Sequence, residues 1–401
     1  MTILEHSAPP AGTSTARAGA PSSGTVTRSR LAHIDAMRPV KQLAVVSTHS
    51  FLALAPATLF VGAGIILLHV AREAFLFVSA CMLTYGYKDL RARDLTRFWR
   101  RRLVAVGAPY LVWTLIYFFV GLPNARGGAA HAALRLGYLS ATGYSQLYFL
   151  VVLLEFYVLF PFVAWLLRRT TGHHRALVIA SAIFQLLYVS AMHWGWLPGE
   201  LRGTHGTRFV LSYQFYLLAG SVAAVHYEAF HRWILRHARL IVIGTLLSGA
   251  LVEAWYWLEV KQVIPSDGAA AGAFQPIVVP FNVAAILLIY LIGVWLVQPR
   301  RPEMLRTLTH LGVEDSYAIY LSQVLFIDGF VALGWKNLDH VMPWPLALVL
   351  GIVTVFVCGG LTGEILARTP LARIAAGRSR ASRRRGPRVA APGSAAEATL
   401  R

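Results

Sequence analysis

His49 stands eleven positions after Arg38 in the otherwise largely apolar stretch RPVKQLAVVSTH. On a helix that spacing makes about three full turns and climbs about 16 Å, so both side chains share one face, roughly half a bilayer apart. A neutral imidazole nitrogen can take the proton of a hydroxyl as a general base, or carry an acyl group itself as a nucleophile. A guanidinium below it can hold an anionic group. Asp35 stands one turn before Arg38 and is a supporting candidate. The plainer reading makes Arg38 an interfacial anchor and His49 a link between helices. An ionisable group at membrane depth favours function.

Other charged residues interrupt apolar sequence. Arg72 and Glu73 sit within a second apolar run. As neighbours they project about 100° apart and need not meet, whereas His69 and Glu73 are an i,i+4 pair that can. Arg72 is the next candidate for chemistry, because an intramembrane arginine needs a partner or water. Glu155 lies mid-run and should face the bundle interior, where it can orient His49, bind acceptor hydroxyls or bond another helix. Arg97, Arg100, Arg101 and Arg102 form a basic cluster of the kind phosphates seek; the same cluster also holds a loop in the cytoplasm. Glu253, Glu259, Asp328 and Glu364 fall nearer run ends, where snorkelling or solvent contact is expected. Asp315 and Ser316 read as helix-start residues. Cys81 and Cys358 read as small hydrophobes. The sequence has no zinc-type Cys/His cluster, no phosphate-cradling glycine loop and no GxSxG nucleophile.

These side chains need a membrane scaffold. Hydrophobic residues make up 56% of the 401 and charged residues 14%, against about 25% charged in soluble domains. Apolar runs near membrane-spanning length predict an all-α polytopic protein of about ten transmembrane helices: about 39–57, 66–86, 103–122, 146–167, 175–193, 208–226, 239–258, 277–298, 311–334 and 344–366. The second is the weakest, because Arg72 and Glu73 interrupt it. With the N-terminus inside, only Arg126, Arg135, Arg202, Arg208, Lys261 and Lys336 fall on outer loops and Arg72 within a span. That asymmetry puts both termini in the cytoplasm. It also accounts for most of the net charge of +19 without nucleic acid. Residues 1–30 read as a disordered segment, 31–371 as the transmembrane domain and 372–401 as a basic disordered tail. VMPWP at 341–345 reads as an interfacial start to the last helix.

HIDAMRPVKQLAVVSTH resembles the opening of the acyltransferase 3 family of integral-membrane O-acyltransferases, with Asp35, Arg38 and His49 at its Asp-x-x-Arg and Arg-x10-His positions. Further segments agree in order. REAFLFVSACMLTYGY is similar to the family's second helix, with Ser79 matching and Ala80 in place of a glycine. RFWRRRLVAVGAPYLVWTLIYF resembles the basic run and Pro-Tyr pair of the third, with Arg97 and Arg100 at its Arg-x-x-Arg element. QLYFLVVLLEFYVLFP matches a segment that carries Tyr148 for the family's tryptophan. LGVEDSYAIYLSQ ends on Gln323 where the family has histidine. Ala80 and Tyr148 are expected to affect packing more than chemistry. The resemblance covers roughly 31–366.

What the resemblance implies is transfer of an acyl group, commonly acetyl, from cytoplasmic acyl-CoA to a hydroxyl of a carbohydrate or other envelope or small-molecule acceptor. The membrane would be the bacterial cytoplasmic membrane, and the donor acyl-CoA the one cofactor, with no metal. His49 and Arg38 would be catalytic, with Asp35, Arg72, Glu73 and Glu155 supporting and Arg97, Arg100 and Arg101 contacting the donor. His49 would either deprotonate the acceptor or carry the acyl group. The other readings are a transporter or exporter using His49, Arg72 and Glu155 as a proton or substrate path, and a non-catalytic membrane partner.

Overall fold

Apolar runs with few helix breakers leave the backbone one way to satisfy its polar groups in hydrocarbon, and the chain takes it. The computed structural model describes residues 32–87, 90–121, 129–199, 206–264, 270–370 and 372–376. Residues 1–30, Arg126, Arg202 and the basic tail beyond 376 lie outside them. Among the described residues every regular element is helical. The helices are α1 (Ala32–Leu54), α2 (Leu59–Leu68), α3 (Val70–Tyr87), α4 (Leu95–Val120), α5 (Ala129–Thr142), α6 (Tyr148–Arg169) and α7 (His174–His193). They continue as α8 (Gln214–Val225), α9 (Tyr227–Arg236), α10 (Ala238–Val260), α11 (Val278–Leu296), α12 (Glu303–Ala332), α13 (Trp344–Arg368) and the short α14 (Ala372–Ala376).

Seven of these stretches are long and apolar enough to cross a membrane: Leu59–Tyr87, Leu95–Val120, Ser145–Arg169, His174–His193, Ala238–Val260, Val278–Leu296 and Trp344–Arg368. The chain is thus an all-helical integral-membrane protein. Three of the expected spans fall outside this set for identifiable reasons. Helix α1 carries Asp35, Arg38 and Lys41, α12 carries Asp315 among other charges, and Val210–Val225 is short.

Three features set the site's frame. The second apolar run begins earlier than expected, at Leu59, where the Thr58 hydroxyl accepts the Val61 amide at 3.3 Å. It breaks at His69, whose carbonyl accepts the Arg72 amide at 3.3 Å in a tight turn. That turn lies within the 29-residue stretch rather than at its end, so it presents His69 and Arg72 at depth. Helix α8 packs against α3 so closely that a Cβ on Gly220 would strike the Phe77 backbone; Gly293 of α11 meets the His33 carbonyl of α1 in the same way.

Helix α12 begins at Glu303, after Pro302, so Asp315 and Ser316 are buried in mid-helix and not at its start. A helix-start pattern marks only that the chain can begin there, and the Pro302 signal thirteen residues before Asp315 prevailed. Asp315 faces Gly363 of α13, whose missing side chain makes room for it. Glu259 also departs from expectation. It is 6% exposed and lies 2.7 Å from His193 Nε2, so a buried neighbour rather than solvent meets it. The last helix starts at Trp344 behind Pro343, as the VMPWP segment predicts. Trp113 of α4 donates to the Ala375 carbonyl of α14 at 2.9 Å, fastening that short helix to the bundle.

Candidate active site

One cavity of about 520 Å3 collects Arg38, Lys41, His49, His69 and Arg72 from the first two apolar runs. Its first wall is a single face of α1: Arg38, Lys41, Gln42, Val45, Thr48, His49 and Leu52. These are i, i+3, i+4, i+7, i+10, i+11 and i+14 positions, the stripe that a 3.6-residue repeat lines up. Arg38 and His49 therefore do share a face, and both open on the same space. The opposite wall is built by His69 and Arg72 at the α2–α3 break and by Phe75, Ser79 and Met82 further along α3. Arg102 of α4, Tyr148 and Tyr157 of α6, and Ser316, Tyr317 and Tyr320 of α12 complete it.

His49 is half-buried, and its ring has no hydrogen-bond partner among the described residues. That leaves the imidazole nitrogens to a ligand. Its neighbour Thr48 is held back, donating to the Ala44 carbonyl at 2.8 Å. At the mouth, Arg38 pairs with Asp35 at 2.9 Å, both about half exposed. Asp35 does not line the cavity; it holds the guanidinium that does. Ion pairs this exposed contribute little to stability, so the pair matters for aim.

Arg72 is the most heavily supported group at the cavity. Its Nη2 and Nε donate to Glu73 Oε1 at 2.6 and 3.2 Å, and Nη1 reaches the Tyr148 hydroxyl at 3.4 Å. The guanidinium also lies over the rings of Phe274 and Tyr213, 4.6 and 5.0 Å from their centroids. Arg72 and Glu73 thus pair, against the expectation from their 100° separation. A guanidinium has reach enough to fold back across that angle, and burial of Glu73 to 3% exposure leaves it no other cation. The expected His69–Glu73 contact is not made: His69 Nε2 bonds the Ala271 carbonyl at 3.1 Å. Ala271 and Phe274 belong to the segment between α10 and α11, which closes over His69 and Arg72.

Two residues that the sequence did not single out for chemistry line the same cavity. Lys41 is 4% exposed with its ammonium 5.0 Å above the Phe75 ring. Tyr148, expected to serve packing, bonds Arg72 on one side while Arg208 stacks 5.5 Å from its ring centroid. The i+3 spacing of Lys41 from Arg38 was a readable signal for the first. Tyr148 had only its place in the Trp-bearing segment.

The remaining candidates separate. Glu155 accepts the Val210 amide at 2.8 Å, tying α6 to the turn before α8; it is not among the cavity's lining residues. Arg97 and Arg101 line a second cleft of about 440 Å3 with Tyr85, Tyr87 and Asp94. Arg100 is exposed and lines neither space. Arg102, the last of the basic run, enters the main cavity, with its guanidinium 4.8 Å from the Tyr87 ring centroid. Tyr87 lines the second cleft, so one aromatic side chain stands between the two spaces.

The geometry offers a hydroxyl-deprotonating or nucleophilic imidazole, fixed guanidinium groups on two levels, and a basic mouth. Against known families, the chain matches over residues 31–363 the model described as an acyltransferase domain, that of acyltransferase 3. No curated protein matches it. No solved structure matches it either.

Proposed function

Because the chain belongs to the acyltransferase 3 family and is a membrane acyltransferase, we propose that it moves an acyl group, acetyl in the first instance, from cytoplasmic acyl-CoA to an acceptor hydroxyl. The acceptor class is a carbohydrate or other envelope or small molecule. The observation that carries this reading is the placement of Arg38 and His49 on one wall of one cavity, with the His49 ring unpartnered.

His49 is the general base. It takes the proton from the acceptor hydroxyl as that oxygen attacks the thioester carbonyl. The C–O bond forms, the C–S bond breaks, and the departing thiolate collects the proton from the imidazolium. Arg72, fixed by Glu73 and Tyr148, supports the oxyanion that develops on the carbonyl oxygen. Direct transfer is preferred over an acyl-histidine because it needs one step fewer. The protein crosses the bacterial cytoplasmic membrane ten times with both termini inside, α1, α8 and α12 joining the seven apolar stretches. Support for this is the burial of all three against apolar neighbours: α8 on α3, α12 on α13, and α1 under α11.

Purified protein with labelled acetyl-CoA tests the proposal. Acceptor-dependent transfer, or thioester hydrolysis without acceptor, should fall by about 10²–10⁴-fold in His49→Ala, the usual contribution of a positioned acid–base group. Proton-coupled solute uptake with no release of CoA would refute the enzyme reading in favour of a transporter. An acyl-protein trapped with donor alone and absent from His49→Ala would replace direct transfer by the two-step route.

A further inference from the structure

The inner half of the main cavity is a different environment from the His49 end. We infer that it is a diphosphate subsite centred on Lys41, and that it, rather than the exposed Arg97–Arg101 run, fixes the phosphates of the donor. This rests on the acyl-CoA reading above.

A buried ammonium is costly unless an anion compensates it. Lys41 is 4% exposed, lines the cavity and has no carboxylate within ion-pair distance among the described residues. Asp35, the nearest acid in sequence, is engaged by Arg38. Among the cavity's lining residues the unsatisfied buried atoms are mostly groups able to donate, Gln146 Oε1 being the exception. Gln42 Nε2, Arg102 Nε and the Tyr317 hydroxyl are all buried, all belong to cavity-lining residues and all lack a hydrogen-bond partner. Among the described residues no aspartate or glutamate lines this cavity, whereas Asp94 lines the second cleft with Arg97 and Arg101. Cations with idle donors and no competing carboxylate are what a diphosphate requires.

Length agrees with charge. Eight residues of helix put Lys41 about 12 Å below His49. The pantetheine arm between thiol and diphosphate has about as many bonds as four residues of backbone, roughly 14 Å when extended. A donor whose diphosphate rests between Lys41, Arg38 and Arg102 therefore delivers its thioester to His49. Lys41, one turn nearer His49 than Arg38, falls within that reach.

The test measures binding of CoA, dephospho-CoA and pantetheine to the full-length protein in nanodiscs, for wild type, Lys41→Met and Lys41→Arg. Lys41→Met should lower affinity for CoA and for dephospho-CoA alike by at least about tenfold, the effect of losing a charge-assisted bond. Pantetheine binding should be unchanged, and Lys41→Arg should recover most of the loss. Equal CoA binding by wild type and Lys41→Met overturns the subsite while leaving the donor reading standing. An effect on CoA that disappears with dephospho-CoA moves the contact to the 3′-phosphate and also overturns it. Failure of wild type to bind CoA at all overturns the donor reading, and the subsite with it. A loss of pantetheine binding in Lys41→Met marks general damage to the cavity and refutes a phosphate-specific role.

Discussion

Replacing Arg72 and Glu73 with methionine, singly and together, tests whether the cavity wall is held by a true ion pair. Glu73 is 3% exposed and Arg72 15%, and one carboxylate oxygen takes two donors at 2.6 and 3.2 Å while Glu73 Oε2 has none. Removing either partner strands the other charge, which costs about 3–5 kcal/mol at buried sites. Arg72→Met should fall at the upper end, since the stranded carboxylate has no other cation. Glu73→Met should fall at the lower end, because the guanidinium keeps two aromatic faces worth about 0.5–2 kcal/mol each and touches the cavity. The double variant loses both charges and should cost less than either single, since apolar replacement of a buried pair is often close to neutral. The coupling energy should then be about 5 kcal/mol or more, well beyond the few tenths by which independent sites depart from additivity. Unfolding in mixed dodecylmaltoside–SDS micelles, followed by tryptophan fluorescence, reads all four corners of the cycle. Additive single effects would refute the pairing and return Glu73 to a solitary buried acid.

Two further substitutions separate structural from chemical roles. Glu155→Leu removes the acceptor of the Val210 amide and should cost about 1 kcal/mol in unfolding free energy, the net worth of an ordinary hydrogen bond, and should leave acetyl transfer at the wild-type rate. Gln323 is fully buried with neither amide atom partnered, so Gln323→Leu should raise stability by about 1–3 kcal/mol through relief of an unmet polar group; a lowered unfolding midpoint would contradict that reading.

The part of this molecule most legible in sequence was periodic. Arg38 and His49 were placed on one face by counting turns, and both line one cavity. The apolar runs located the long helices because length and hydropathy are averages over many residues. What counting could not give was reach and company. Arg72 meets Glu73 because a flexible guanidinium outranges the angle between adjacent Cα–Cβ bonds. Lys41 was visible as a charge near the start of α1 and looked like part of a topological signal; its burial depends on Phe75 from another helix. Tyr148 gained its partners from α3 and from Arg208, contacts distant in sequence. Helix α5 and the amphipathic α9 went unforeseen, since neither is apolar enough to register as a span.

The cavity has its basic mouth at one end, with Arg38 and Arg102, and at the other it is covered by Ala271 and Phe274 over His69 and Arg72. In the orientation proposed, the thiol product and the proton taken by His49 leave by the cytoplasmic mouth together, while the acyl group goes to the acceptor. Formally an acylium equivalent passes outward as a proton passes inward. The exchange moves no net charge across the bilayer. Acylation would then draw its driving force from the thioester alone and proceed equally in energised and de-energised membranes.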